Sequence, residues 1–546
     1  MLSRSYCTRL GKGFRNFLLL IILALPFGAC SAPAVNTEPP HSEQSAETSV
    51  PQSQSSVHSN AGNSDLAREI DHLIDNSDVA SARLGVSVVS LKDNRVVYER
   101  NSNKLFTPAS NMKLFPTAVA LEFLGADYRW RTSVYAATTP DAAGTVNGDI
   151  VLYGRGAPDL TAVARAHAES RNSLDQLASD LYNRGVRHIR GNVIGDESYF
   201  RGNPLGDGWQ WNDVQWYYGA EASALSINHN ETSINVLPPE GRDKPPLIRV
   251  ADSTGYVTVE NRMAPGAAGE RMTLGIQRGL SDNIVRVWGT FPSGSKGFGA
   301  RLSVHQPAQW AAKLFLDSLK ARGITVDGQA LLRDARQPIA DRFDPQQATE
   351  LAFVFSKPLR EIIKDTNKES NNLYAELILR TLGRERAALL PGPEAGSRER
   401  GDEESGLAII RLWLNRSQVP LQGVALHDGS GLSRLNLVTP QTFVQLLAAM
   451  QRSPNNQVFR ESLPVSGRDG TLGSRLKDYA DRVSAKTGYI IYDAALSGYV
   501  TTSEGEVFAF SIICNDETGR GSSGRLIDQI VSILAAYPAR IPEKAH

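Results

Sequence analysis

A serine hydroxyl becomes a nucleophile when a base sits within hydrogen-bond reach, and Ser110 with Lys113 offers such a pair at a spacing of three. Both lie in Thr107-Pro108-Ala109-Ser110-Asn111-Met112-Lys113, where Pro108 suits the first turn of a helix and the spacing puts both side chains on one face. A lysine desolvated beside a second cation loses its proton near neutral pH, and a helix amino terminus favours a developing alkoxide. Ser293 with Lys296 and Ser474 with Lys477 share the spacing, but the first lies in a Gly-rich turn and the second follows a glycine. Two further polar groups stand out. Ser370-Asn371-Asn372 lies between two helical patterns, although Ser226 with Asn228, Ser233 with Asn235 and Ser453 with Asn455 match the same SxN spacing and read as turns or caps. Lys486-Thr487-Gly488 occurs once, on a predicted strand, where lysine and threonine offer charge and hydroxyl to a carboxylate and glycine admits a close ligand. There is no HExxH, no cysteine pair, no GxSxG elbow and no glycine-rich phosphate loop, so neither a metal nor a cofactor is called for.

Elements at both chain ends must bring these groups together. Leu66, Ile70, Leu73 and Ile74 predict a helix from near Asp65, followed by a hairpin of residues 84–91 and 96–98 around Asp93-Asn94. Residues 483–489, 495–501 and 507–513 predict three successive strands, with a helix over about 523–536, and the two ends are expected to share one sheet. Between them, about 137–350 carries short alternating runs such as 148–153, 256–259 and 284–287, with helices at 172–184 and 306–322. An inserted, largely β region is expected, without a fixed-period repeat.

The 546 residues exceed one ordinary domain. Lys plus Arg (58) balances Asp plus Glu (58), which lacks the basic footprint of a nucleic-acid binder. Arg4, Arg9, Lys12 and Arg15 precede an apolar run from Phe17 to Phe27, so residues 1–30 read as an export signal rather than a membrane span. Cys30, after Phe27-Gly28-Ala29, reads as a lipobox cysteine accepting a diacylglycerol anchor; ordinary signal cleavage nearby and a retained signal anchor are the alternatives. Residues 31–63, rich in Ser, Pro, Gln, Glu and Thr, read as a disordered tether. Cys514 adjoins an apolar strand and reads as core packing, so no disulfide is expected.

SxxK, SxN and KTG in this order, on a helix, a loop and a strand, are more specific than any one of them. The chain resembles the class C low-molecular-mass penicillin-binding proteins, the D-alanyl-D-alanine carboxypeptidase/endopeptidase family of penicillin-binding protein 4 type. The resemblance runs from about 64 to 537 and includes Gly208-Trp209-Gln210-Trp211-Asn212-Asp213 with Tyr217-Tyr218, Asp428-Gly429-Ser430-Gly431-Leu432-Ser433-Arg434, and Gly470-Thr471-Leu472. It implies an α/β fold: a transpeptidase/β-lactamase-like domain, an antiparallel sheet flanked by helices, from 64–135 and 355–546. An inserted domain over 136–160 and 245–354 and a nested one over 161–244, both β-rich, would interrupt it.

By the same resemblance Ser110 is the nucleophile, Lys113 its general base, Ser370 a proton relay and Asn372 a hydrogen-bonding partner of the substrate peptide. Lys486 supplies positive charge, Thr487 holds the terminal carboxylate, Gly488 sits beside it, and the N–H groups of Ser110 and Tyr489 form an oxyanion hole. Asp213, Tyr218 and Arg434 border a pocket for the side chain of the peptide's diamino acid. Peptidoglycan stem peptides are the implied substrates and β-lactams covalent inhibitors, with a membrane met only through the lipid anchor; no oligomeric state is implied. Tyr489 stands where a small hydroxyl residue is usual, and Gly154-Arg155-Gly156-Ala157-Pro158-Asp159 departs from the family's Gly-rich turn. A β-lactamase or esterase on the same fold, or a wall-binding protein with a dead site, are the competing readings.

Overall fold

The computed structural model describes residues 61–162, 172–239, 241, 244–334, 336, 343–390, 401–519 and 521–538. The export signal and Cys30 lie outside the described residues, as does the tether up to residue 60; residues 61–63 open the first helix. No helix among the described residues is long and apolar enough to cross a membrane.

The described chain begins with α1 (Ala61–Asp75), β1 (Arg83–Ser90), β2 (Val96–Arg100), a 3-10 turn (Ala109–Lys113) and α2 (Leu114–Phe123). A long insertion follows: β3 (Arg131–Ala136), β4 (Thr145–Val146), β5 (Ile150–Tyr153), α3 (Ser173–Asn183), β6 (His188–Ile189), β7 (Val193–Asp196), β8 (Glu231–Leu237) and β9 (Leu247–Val250). It continues with β10 (Thr258–Gly266), β11 (Thr273–Arg278), β12 (Ile284–Pro292), β13 (Phe298–Ser303), α4 (Pro307–Ala321), β14 (Thr325–Val326), β15 (Ala330–Arg333) and β16 (Thr349–Phe355). The chain returns through α5 (Leu359–Lys368), α6 (Asn372–Arg386), α7 (Asp402–Arg416), α8 (Pro440–Gln451) and α9 (Asn456–Ser462). It closes with β17 (Val483–Ile490), β18 (Asp493–Thr501), β19 (Val507–Asn515) and α10 (Ser522–Ala536).

The two ends share one antiparallel sheet in the order β17-β18-β19-β1-β2, as the sequence predicts. Phe508, Phe510 and Ile512 bury one face with Leu526, Ile530 and Leu534 of α10 and Leu66 and Ile70 of α1. Ala495, Tyr499, Ala509 and Ile513 bury the other with residues of α2, α5, α6 and α8. A sheet covered on both faces needs apolar residues at successive positions, which is why 494–500 and 508–514 read as runs rather than alternations. Each large side chain so buried contributes roughly 1.5–3 kcal/mol. Cys514 is free and buried within this core, and burial pushes its thiol up to about 12.

In the insertion, β15-β7-β5-β3-β16 form a mixed five-stranded sheet against which α3 and α4 pack through Leu174, Leu177, Phe315 and Leu319. β7 pairs in parallel with β5 and β15, whereas β8 to β13 pair, among the described strands, with one another, as β13-β8-β9 and β10-β12-β11, with a further bridge from β13 to Trp216. β6 and β7, which lie in the stretch assigned from the sequence to the nested domain, pair with strands of the outer insertion. We propose a nested block of about 231–303. Local periodicity reveals strands but not their partners, so it could not place that division. The Gly154–Asp159 turn is a brace between regions. The Arg155 guanidinium donates to the Arg131 carbonyl and Tyr135 hydroxyl, and Asp159 accepts from the Lys357 N–H at 2.9 Å.

Candidate active site

Ser110 stands on the 3-10 turn that opens α2, and the turn is pinned from three sides. Thr107 exchanges two hydrogen bonds with the Asn515 side chain at the end of β19, and Asn111 donates to Ser497 Oγ of β18 at 2.6 Å. Ala109 holds a positive φ of 48°, a conformation costly for a residue with a Cβ and kept here by its surroundings. Gly431 presses on it so closely that a Cβ there would lie 1.8 Å from the Ala109 carbonyl oxygen.

Lys113, fully buried, places Nζ 2.8 Å from Ser110 Oγ, 2.6 Å from Asn372 Oδ1 and 2.6 Å from the Ser430 carbonyl oxygen. The Asn372 amide orientation is fixed because Nδ2 donates to the Tyr218 carbonyl at 2.8 Å, which turns Oδ1 towards the lysine. Neither a carbonyl nor an amide oxygen can donate. A neutral Lys113 therefore spends its two N–H bonds on Asn372 and Ser430, and its lone pair faces the Ser110 hydroxyl. Burial brings this amine down to about 7, against the opposing pull of Asp428 and Glu376.

The Ser430 carbonyl belongs to a loop wound around buried Asp428, whose carboxylate accepts from the N–H groups of Gly431 and Ser433, from Asn436 Nδ2 and from Trp209 Nε1. The resemblance drew attention to the stretches containing Asp428 and Trp209, but nothing local in either revealed that one braces the other.

Ser370 lies between α5 and α6 with a positive φ of 56°, just before Asn371, which caps α6 by accepting from the Tyr374 N–H. Its hydroxyl oxygen is 2.9 Å from Nζ of Lys486, a fully buried β17 residue whose amine also donates to the Thr487 carbonyl. Burial, with Lys113 close by, holds Lys486 well below the ordinary lysine range. Thr487 Oγ1 is 2.7 Å from Thr471 Oγ1. The Thr471 turn is anchored by Lys368 at the end of α5, which pairs with Asp469 at 2.6 Å. At Gly488 a Cβ would lie 2.7 Å from the Pro108 carbonyl oxygen, so the nucleophile's own segment approaches this glycine closely.

Two lysines, two serines and an asparagine thus converge from both chain ends. A profile of the D-Ala-D-Ala carboxypeptidase 3 (S13) family matches residues 66–537. The chain belongs to this family. It is 35% identical over 495 residues, 88% of this chain and 86% of the relative, to the D-alanyl-D-alanine carboxypeptidase of Actinomadura sp. (strain R39). It is 25% identical to D-alanyl-D-alanine carboxypeptidase DacB of Haemophilus influenzae, covering 79% of this chain and 84% of that one. The crystal structure of penicillin binding protein 4 (dacB) from Haemophilus influenzae superposes with a TM-score of 0.71 at 23% identity, over 86% of this chain and 99% of that one, which shows a shared fold.

In this S13 chain a cleft of about 920 Å³ extends from Ser110, Ser370 and Asn372 to a wall supplied by the insertion. Asp213 and Tyr218 meet there, the Tyr218 hydroxyl donating to Asp213 Oδ1 at 3.2 Å, and burial raises the Asp213 carboxyl above its usual range. Arg434 also lines the cleft, but its guanidinium is tied back to Asp493 Oδ2 and the Ile491 carbonyl, so it braces the β17–β18 turn. Sequence reasoning missed Arg301, which forks onto Glu231 and stacks over Tyr217 at 4.0 Å. It also missed His229, held with Asn228 and Asn230 in three successive left-handed residues and 3.1 Å from the Tyr374 hydroxyl. Three positive-φ residues in a row carry no composition signal beyond two asparagines. The Tyr489 side chain is 72% exposed at the cleft mouth, and β17 that carries it is a sheet edge.

Proposed function

We propose that the chain acts through Ser110 as a serine-type D-Ala-D-Ala carboxypeptidase on peptidoglycan stem peptides, the activity named for its family. The observation that carries the assignment of roles is the Lys113 amine, whose two acceptor-only partners turn its lone pair onto Ser110. Lys113 takes the Ser110 proton as Oγ attacks the penultimate D-alanine carbonyl carbon. Backbone N–H groups of Ser110 and Tyr489 receive the oxyanion, each such donor contributing roughly 3–4 kcal/mol. The tetrahedral intermediate breaks its C–N bond as the proton taken up by Lys113 is relayed through Ser370, hydrogen-bonded to Lys486, to the departing D-alanine nitrogen, which leaves Lys113 neutral again. Water then adds to the acyl-serine carbonyl, giving its proton to Lys113, which hands it to Ser110 Oγ as the acyl C–O bond breaks.

Lys486 and Thr487 receive the terminal carboxylate. A buried amine held below its usual pKa regains its charge when an anion arrives, so binding of the carboxylate and protonation of Lys486 reinforce each other. Thr471, whose hydroxyl lies beside that of Thr487, offers a second small hydroxyl to the carboxylate in place of the one usual where Tyr489 stands. The Asp213 carboxylate takes the free ammonium of the diamino-acid side chain, with Tyr218 orienting it. Cutting a cross-link is the same attack on the same kind of bond, so endopeptidase activity on cross-linked peptides belongs to this reading, and β-lactams acylate Ser110. Release of D-alanine from a peptide ending in D-alanyl-D-alanine, compared between the parent protein and Ser110→Ala, tests the assignment. Release that survives the substitution sinks it.

We further propose that the protein is exported and that Cys30 carries a lipid, leaving the enzyme on a tether at a membrane surface. Incorporation of labelled fatty acid into the parent protein but not into Cys30→Ala supports this; equal or absent labelling refutes it.

A further inference from the structure

We propose that Glu376 is a positioning residue for the general-base lysine: ionised, it grips the Gly429 and Ser430 N–H groups and thereby aims the Ser430 carbonyl at Lys113 Nζ, while Glu403, across Arg380, is the neutral acid. The inference rests on the reading of Lys113 as the base of Ser110.

Asn372 and Glu376 stand one turn apart on α6, so they share a face. Asn372 touches Lys113 Nζ directly, whereas Glu376 reaches it through the loop. Glu376 Oε1 accepts from the Gly429 N–H at 3.1 Å and from the Ser430 N–H at 2.8 Å, and Oε2 accepts from Arg380 Nη1 at 3.0 Å. Every hydrogen-bond partner of this fully buried carboxyl is a donor, so a proton on either oxygen would displace one, and these donors hold its charge against burial and the nearby Asp428 carboxylate. Glu403 differs. Its Oε2 receives Arg380 Nη2 at 3.2 Å, but its buried Oε1 has no hydrogen-bond partner.

Burial pushes both carboxyls upward, Glu403 to about 8, and the two face one guanidinium. One proton on the pair leaves a single anion matched to Arg380, and the donor sets assign that anion to Glu376. The charged groups around Lys113 are then Glu376 on α6, Asp428 in the loop and Lys486 on β17, with Arg380 behind Glu376. Loss of the Glu376 charge removes one of two anions that favour protonated Lys113, so the lysine must become easier to deprotonate.

The test is the second-order rate of benzylpenicillin acylation of the full chain from pH 5 to 9, with thermal melts to verify folding. Glu376→Gln should move the acid limb down by about half to one pH unit, with a plateau about tenfold lower as the Ser430 carbonyl loses its grip. Glu376→Asp keeps the charge but shortens the reach, so its plateau falls while the limb stays put. Glu403→Gln, isosteric with a neutral acid, should leave the limb in place. An unmoved limb in Glu376→Gln, or an equal displacement in Glu403→Gln, overturns the proposal; if Glu376→Gln fails to fold, a displaced limb in Glu376→Asp does so. Lys113→Ala separates the two claims, since acylation surviving in that variant contradicts the base assignment itself.

Discussion

Lowering pH should switch the enzyme off by protonating Lys113, and the structure sets where. Burial holds this amine at about 7 rather than 10.5, a displacement of about 5 kcal/mol in favour of the neutral form. Only the neutral amine can accept the Ser110 proton, so the acylation rate follows the neutral fraction. With the midpoint at about 7 that fraction is about nine-tenths at pH 8, half at pH 7 and a tenth at pH 6. The second-order rate constant for benzylpenicillin acylation, read by stopped flow or by quenched intact-protein mass, should therefore fall about tenfold between pH 8 and pH 6 and about tenfold more by pH 5. The acid limb should rise with unit slope and level off. A limb centred above pH 9 would mean an ordinary, solvated lysine, and a flat profile down to pH 5 would mean that Lys113 is not the base.

Other perturbations follow from the same contacts. Gly488→Ala places a methyl against the Pro108 carbonyl, a backbone atom that cannot rotate away; a loss of about 1–3 kcal/mol in melts should accompany an acylation rate reduced about a hundredfold. Unchanged values for both would refute the packing argument. Asn372→Ala strips partners from a buried amine and from the Tyr218 carbonyl, costing about 1–3 kcal/mol, whereas Asn372→Asp brings a negative charge to Lys113 and should move the acid limb to higher pH in the same assay. Asp213→Asn should lower the ratio of hydrolysis of a stem peptide with a free side-chain ammonium to benzylpenicillin acylation by about tenfold or more, measured as the ratio of kcat/KM to the acylation rate constant.

Much of the site was legible because its groups sit on elements with strong local signals. The helix opening after Pro108, the loop between two helices at Ser370, and the strand at Lys486 are all visible as periodicity or punctuation, and their order pointed to a family, whereas the 3-10 form of that opening turn was not visible. The supporting structure was not legible in the same way. Glu376 reads as one polar position of a helix, and only the folded chain shows it meeting the Gly429 and Ser430 N–H groups. Arg434 is expected to border a substrate pocket and lines the cleft, but its hydrogen bond to Asp493, fifty-nine residues later, could not be read from the sequence. Gly488 invites a ligand on sequence, and the close approach of Pro108 to the same residue, a second constraint on it, could not be read there. In the insertion, the run 148–153 shows the strand character of β5 but not its parallel pairing with β7. Each of these depends on contacts between residues far apart in the chain, which spacing within a window cannot encode.

The central claim is that Ser110 is the acylated nucleophile. Intact mass of the protein after incubation with benzylpenicillin, followed by peptide mapping, addresses it most directly. The account predicts one drug molecule bound per chain, mapped to the peptide carrying Ser110 and absent from Ser110→Ala. An adduct on another residue, or none at all with the drug left intact, would contradict it.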